Sequence, residues 1–270
     1  MKNKHPKLWR LLKRMNRGLA LGLAVVLVMT VWLSVSAAKL KKETNALKEL
    51  TKEYIIELFE VSAAMNGEAV GAPVSDSARA EMRESLNEIV KKYYSDSAAA
   101  QLTYKDSSSK VNGVRLVDGL DDWAKSAKMF HIENAEIIET EEMTSGGYVI
   151  RNYSFDATQK ATKYLEVEYS FEVIATVVTD ELGYLNAYPF NQNGGYPEYY
   201  SDDKYAGSDG GNFSKGDVCR ADMSVMVSGK LIFVREDGEW KLACTRNTYA
   251  YVNRTSNVEI VEKRGGEIYG

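Results

Sequence analysis

Nucleophilic and metal chemistry in this chain is bounded by two histidines, His5 and His131, and two cysteines, Cys219 and Cys244. A Ser-His-Asp or Cys-His arrangement needs an imidazole, and with His5 in a basic leader only His131 is open to it. Zinc sites with more than one histidine are excluded on the same ground. His131 opens a predicted strand, where a lone histidine reads as a surface or hydrogen-bonded residue. Carboxylates are plentiful, so a glycosidase-type pair is chemically open, yet no spacing nominates one pair over another. Asp202, Asp203, Asp209 and Asp217 crowd one stretch. A calcium loop delivers six or more oxygens at fixed spacing, and the EF-hand pattern with its closing Glu is absent. These acids read as solvated loop carboxylates, and no catalytic residue, metal or cofactor is expected.

The second concentration of side chains is aromatic. Residues 181–216, ELGYLNAYPFNQNGGYPEYYSDDKYAGSDGGNFSKG, set Tyr184, Tyr188, Phe190, Tyr196, Tyr199, Tyr200 and Tyr205 among Gly, Pro, Asn and Asp. Tyrosine covers much area at low entropic cost and keeps a polar tip, which suits a contact surface for a protein or a sugar. The alternative is that the rings pack this loop onto its own sheet.

The elements that must position these residues begin at the membrane. A leader, residues 1–17, holds Lys2, Lys4, Lys7, Arg10, Lys13, Arg14 and Arg17 and no acid, and 21 uncharged residues follow, opening at Gly18 and closing at Ala38. At ~1.5 Å per residue that stretch spans the ~30 Å hydrocarbon core, and the cationic flank stays cytoplasmic. The expectation is a single-pass signal-anchor protein of the cell membrane, with everything after Lys39 outside the cytoplasm. Cleavage after Ser36-Ala37-Ala38 is the alternative, although the apolar stretch exceeds the ~7 to 15 residues usual for a signal peptide.

Seven of the 34 basic residues and none of the 38 acids fall in the leader, so the exported part carries 27 basic against 38 acidic side chains, a formal −11. A field of that sign repels phosphate backbones and excludes nucleic acid as a direct partner. Two cysteines make no disulfide scaffold. With Asp237-Gly238 as a two-residue hairpin turn, Cys244 faces Leu231, and Cys219 lies roughly 40 Å further along that strand. Two separate buried thiols are expected.

Residues 39–65 lack proline and place Leu47, Leu50, Tyr54, Leu58 and Val61 at helical steps, predicting an amphipathic helix that continues from the membrane. Leu40, Leu47, Tyr54 and Val61 also fall seven apart, but Glu43 and Glu57 spoil the second seam of a coiled coil. Self-association through this helix therefore stands behind packing on its own domain. Ser75, Asp76 or Ser77 caps a second helix with Ala78, Met82, Leu86, Ile89, Val90 and Tyr93 on one face. Ser95 or Asp96 can cap a further turn, and Asp121-Asp122-Trp123 a short helix.

From Phe130 the period changes to two. Residues 130–139 and 148–155 read as strands joined across Gly146-Gly147. In KYLEVEYSFEVIATVV, Leu165, Val167, Tyr169, Phe171, Val173, Ala175 and Val177 alternate with Glu166, Glu168, Ser170 and Glu172. Ala221, Met223, Val225, Val227, Leu231 and Phe233 define a further inward face, and EDGE turns the chain back through Trp240, Leu242 and Cys244. The fold class is α+β: a transmembrane helix, then two or three helices packed on a curved antiparallel sheet. Residues 66–255 form the exported domain, with 181–216 as an insertion and 256–270 as a tail.

Helices first, then long alternating strands, then a closing hairpin with Gly238-Glu239-Trp240-Lys241-Leu242 resembles the nuclear transport factor 2-like (cystatin-like) superfamily. Behind a basic leader and one membrane span, the layout is similar to membrane-anchored assembly subunits of conjugation and type IV secretion machinery. The resemblance implies an assembly module with protein partners in the envelope, open to homo-oligomerisation. In such a cone the interior holds a small ligand or is filled, and the large apolar residues on the inward faces favour a filled core or an apolar pocket over an acid-base site. An exported small-molecule or glycan sensor is the second reading, and an envelope hydrolase the third.

Overall fold

The computed structural model describes residues 17–61, 68–95, 110–111, 113–138, 148–153, 162–182, 185, 187–190 and 216–264. Contacts divide the chain into two units, Met1–Lys48 and Glu49–Gly270. Helix α1 (Arg17–Glu60) begins in the first and ends in the second.

In the first unit the helix is long and apolar enough to cross a membrane, with a mean hydropathy of 2.2 over its most apolar window. Its large side chains between Leu19 and Val35 are exposed, from 48% at Val25 to 69% at Val28. Thr30 Oγ1 donates to the Val26 carbonyl and Ser34 Oγ to the Thr30 carbonyl, each at 2.8 Å. Both hydroxyls are thus satisfied within the helix, which removes the cost of carrying them on an apolar surface.

The second unit is α+β. After the last turns of α1 come α2 (Asp76–Tyr93), β1 (Lys110–Val111), α3 (Gly113–Asp118), α4 (Leu120–Ala124), β2 (His131–Ile138), β3 (Tyr148–Tyr153), β4 (Thr162–Thr179), β5 (Val218–Glu236) and β6 (Glu239–Glu262). Of the three capping candidates, Ser75 serves α2, its Oγ accepting from the Ala78 amide at 3.2 Å. Glu68 holds that hydroxyl from outside at 2.6 Å. The α2 face is as the spacing predicts, with Ala78, Met82, Leu86, Ile89 and Tyr93 buried and Val90 half-buried at its margin. On α1, Tyr54, Ile55, Leu58, Phe59 and then Val61 are buried within this unit. Tyr54 and Val61 are therefore already used by the chain's own core and are not free to form a coiled-coil seam.

The sheet runs β1-β6-β5-β4-β2, with β3 also on β4, and every ladder is antiparallel. The two early strands both pair with β4: β3 lies opposite residues 162–167 and β2 opposite 172–178. At 18 residues β4 extends roughly 60 Å, long enough to take both partners end to end along one edge. The β5–β6 hairpin turns at Asp237 and Gly238, whose φ of 49° and 89° suit a two-residue turn that follows strand twist. Its register starts as expected, Glu236 opposite Glu239 and Phe233 opposite Leu242, then shifts five times. Each shift adds a residue to β6, which is why β6 has 24 residues against 19 in β5. Cys244 consequently faces Ile232 rather than Leu231, because Ala243 is an extra residue. For the same reason β6 reaches Glu262, so residues 256–262 belong to the sheet rather than to a tail.

Candidate functional site

The aromatic insertion enters the described structure at its start, and there it leads inward. Leu185, Ala187, Tyr188 and Phe190 are buried, the last two at 6% and 2% exposure. Phe190 stacks on Phe59 of α1 with ring centres 4.4 Å apart and planes at 19°. Tyr188 lies 5.6 Å from the Trp123 ring of α4, and its hydroxyl donates to the Leu116 carbonyl of α3 at 2.5 Å. Two of the seven candidate rings therefore pack the domain's own core. Tyr184, Tyr196, Tyr199, Tyr200 and Tyr205 lie outside the described residues.

A second group of rings, read from the sequence only as parts of helix and strand faces, fills the layer between helices and sheet. Tyr54 of α1 meets Tyr93 and Tyr94 edge-on, at 5.3 and 6.1 Å between centres, and its hydroxyl shares a 2.8 Å hydrogen bond with that of Tyr94. The adjacent Tyr93-Tyr94 pair at the end of a helical face was the available signal: one ring continues the apolar stripe and the next points to the sheet. Tyr94 ends α2 by bridging to Leu242, and the Ser95 amide donates to the Leu242 carbonyl at 2.9 Å. Ser95 thus ties α2 to β6, while the turn expected after it lies outside the described residues.

Burial pushes the phenols of Tyr54, Tyr94 and Tyr169 well above their ordinary value, with the Tyr169–Thr248 hydrogen bond opposing the shift. Tyr93 and Tyr188 are pushed up to about 12, in both cases chiefly by burial. Groups held so high stay protonated at neutral pH and act as hydrogen-bond donors, not as bases. At the rim, Glu57 accepts from Tyr93 at 2.8 Å and from Lys92, and that bond raises the Lys92 ammonium. Between these rings, a cavity of about 30 Å³ is lined by Tyr54, Ile55, Leu58, Leu116, Tyr169 and Phe190 among others. That volume suits one or two waters, far below the several hundred Å³ of a ligand pocket.

No protein-family model, curated protein or solved structure matches this chain. Its chemistry is thus read from its own residues.

His131 sits at the start of β2, half-buried, with Nε2 3.2 Å from the Glu68 carbonyl. The bond ties the sheet to residues 68–73, which also pair with 128–129 through Gly71, Ala72 and Met129. Both cysteines are buried and form no disulfide, Cys219 opposite Ile260 and Cys244 opposite Ile232. Burial, with Asp217 second, lifts the Cys219 thiol to about 11, so it is held as the unreactive thiol. Asp217 is buried and accepts from the Arg264 amide at 3.1 Å, a structural partner rather than a loop ligand. Asp202, Asp203 and Asp209 lie outside the described residues, among which no three His, Cys, Asp or Glu side chains are grouped to hold a metal ion.

Away from the helices, the opposite sheet face carries a polar network. Arg220 of β5 donates to both oxygens of Glu133 at 2.8 and 2.9 Å and lies 3.5 Å from Glu259. Asp222 accepts from Thr176 at 2.8 Å and from Asn257 at 2.7 Å, and Ser224 donates to Glu172 at 2.5 Å. These groups satisfy one another across four strands.

Proposed function

We propose that this chain is a single-pass membrane protein with a cytoplasmic N-terminus, whose residues after Lys39 form an exported interaction or assembly module of a cell-envelope complex of the secretion or conjugation type. The observation that carries this reading is the exposed apolar surface of α1. Side chains such as Leu27, Val28 and Trp32, each more than 60% exposed, require a lipid or protein cover, and the acid-free leader gives the span its direction. The order of helices and antiparallel strands supports the nuclear transport factor 2-like reading. The five shifts in β6 support a curved sheet, since a bulge bends the strand that carries it.

In this reading the contact surface is the aromatic insertion beyond its buried start: Tyr196, Tyr199, Tyr200 and Tyr205, with Tyr188 and Phe190 anchoring it. Partners are envelope proteins, including further copies of this chain. Crosslinking in intact membranes tests it, comparing the whole chain with a form lacking residues 191–205. Loss of crosslinked species with an unchanged unfolding midpoint is the expected result. A wild-type chain that runs only as an isolated monomer, or a deletion that keeps every crosslink, overturns the proposal. Protease added from outside should digest the domain while sparing the leader.

A further inference from the structure

The surroundings of Tyr188 have the features of a small recognition site. The Leu116 carbonyl accepts its hydroxyl at 2.5 Å, the Trp123 ring lies 5.6 Å from its ring, and Gly119 leaves open the space at its tip. A Cβ built on Gly119 would stand 2.7 Å from the Tyr188 hydroxyl and 3.0 Å from the Arg115 carbonyl, so any larger residue there would displace the phenol. The 30 Å³ cavity lies next to this site, sharing its Leu116 wall and bounded by Pro189 and Phe190, the two residues that follow Tyr188.

The segment that fills this site is held in an unusual way. Leu185, Ala187, Tyr188, Pro189 and Phe190 belong to no strand of the sheet; Tyr188 and Pro189 form a turn, and the Tyr188 hydroxyl bonds the Leu116 carbonyl. Ring burial, the turn and one hydroxyl bond hold residues 187–190, with no strand pairing, whereas β4 and β5 are laddered along nearly their whole length. A stretch with buried side chains and no ladder opens at lower cost than the sheet it covers. Withdrawing a ring next to an existing cavity leaves a void of the order that takes a benzene-sized molecule, roughly 150 Å³.

We propose that Leu116, Gly119 and Trp123 form a phenol-binding site that Tyr188 occupies in cis, and that a free phenol takes when residues 187–190 withdraw. The ligand class follows from the contacts: a flat uncharged ring for Trp123 and the adjoining apolar wall, and one hydroxyl donor for the Leu116 carbonyl. A ring without a hydroxyl would leave that carbonyl without its donor.

The test uses the full-length chain in detergent micelles, with phenol and toluene as probes. In Tyr188→Ala, phenol is expected to raise the unfolding midpoint by several degrees and toluene by clearly less. Adding Gly119→Ala to that variant should abolish the difference. In the wild type, phenol should increase protease cleavage within 181–190 saturably, with toluene inert at the same concentration. Should Tyr188→Ala fail to fold, Tyr188→Leu keeps the burial and removes the ring and hydroxyl, and the same phenol preference is expected. Equal responses to phenol and toluene in whichever variant folds overturn the proposal, as does a phenol response that survives Gly119→Ala.

Discussion

The two faces of the β4–β5 ladder are made from alternate residues of the same two strands, yet they are held by different forces. On the helix-covered face Leu165, Val167, Tyr169, Phe171, Val173, Ala175 and Val177 are each 5% exposed or less, opposite Val225, Val227, Leu231 and Phe233. On the other face Glu168 is exposed, and Thr176 bonds Asp222 and Ser224 bonds Glu172 across the two strands, with Glu172, Thr176 and Asp222 half-buried and Ser224 buried. One face is held by removal of apolar area and shape fit, insensitive to salt and, until its buried phenols ionise in alkali, to pH. The other is held by hydrogen bonds and ion pairs that solvent screens. The rings at the start of the insertion belong, in energetic terms, to the first face.

The largest contrast is expected from truncation. Phe233→Ala removes a ring 1% exposed and should cost about 3–5 kcal/mol. Glu168→Ala, on the opposite face of the neighbouring strand, should fall within about 0.5 kcal/mol of the wild type. Denaturant midpoints of the two variants measure it, and near-equal losses would break the comparison.

A finer test lies where the covered face is built around an absent side chain. Gly229 sits opposite Tyr169 in the ladder, and a Cβ there would stand 2.8 Å from the Tyr169 hydroxyl and 3.2 Å from the Thr248 Cα. Gly229→Ala should cost about 1–3 kcal/mol through overpacking. Tyr169→Phe in the same chain should recover part of that loss, since it removes the crowding oxygen. A double-mutant cycle reads the coupling, and strict additivity would show that the ring does not depend on the glycine.

The period of two on β4 and β5 was legible because alternation follows directly from strand geometry, and the cap and face of α2 were legible for the same local reason. What was not legible is set by contacts far apart in sequence. The β6 shifts depend on its pairing with β5 residue by residue, and the end-to-end placement of β2 and β3 depends on the length of β4. Leu116 and Gly119 could not be joined to Tyr188 from spacing, since 72 residues separate the carbonyl from the hydroxyl it accepts. In the tyrosine-rich segment composition left a contact surface and packing onto the domain both open, and Tyr188 and Phe190 take the second.

The Tyr188 hydroxyl sharpens the comparison through pH. Tyr188→Phe removes the donor to Leu116 and should cost about 1 kcal/mol near neutrality. The folded phenol is raised to about 12 from an ordinary 10.0, chiefly by burial, so the folded state holds its proton more tightly than the unfolded. Its stabilisation is fully present below pH 10 and is lost as pH rises toward 12. The gap between wild type and Tyr188→Phe should therefore narrow over that window, read from urea midpoints at successive pH values. A constant gap would mean the hydroxyl is not buried in solution.

The smallest effect belongs to the polar face, and there the pH dependence runs the other way. The Arg220 guanidinium bonds both oxygens of Glu133 and holds that carboxyl below its ordinary 4.5. Both side chains are 41% exposed, so screening keeps the contribution of the pair small despite its two-pronged geometry. A depressed folded value means the stabilisation is complete above pH 4.5 and fades as pH falls through that lower value. Arg220→Gln should accordingly lie slightly below the wild type at pH 7, converge with it in acid, and converge again at high salt. Phe233→Ala should do neither, because the area it exposes carries no charge. If the Arg220 deficit survives both acid and salt, this face is shielded from water and the contrast between the two faces fails.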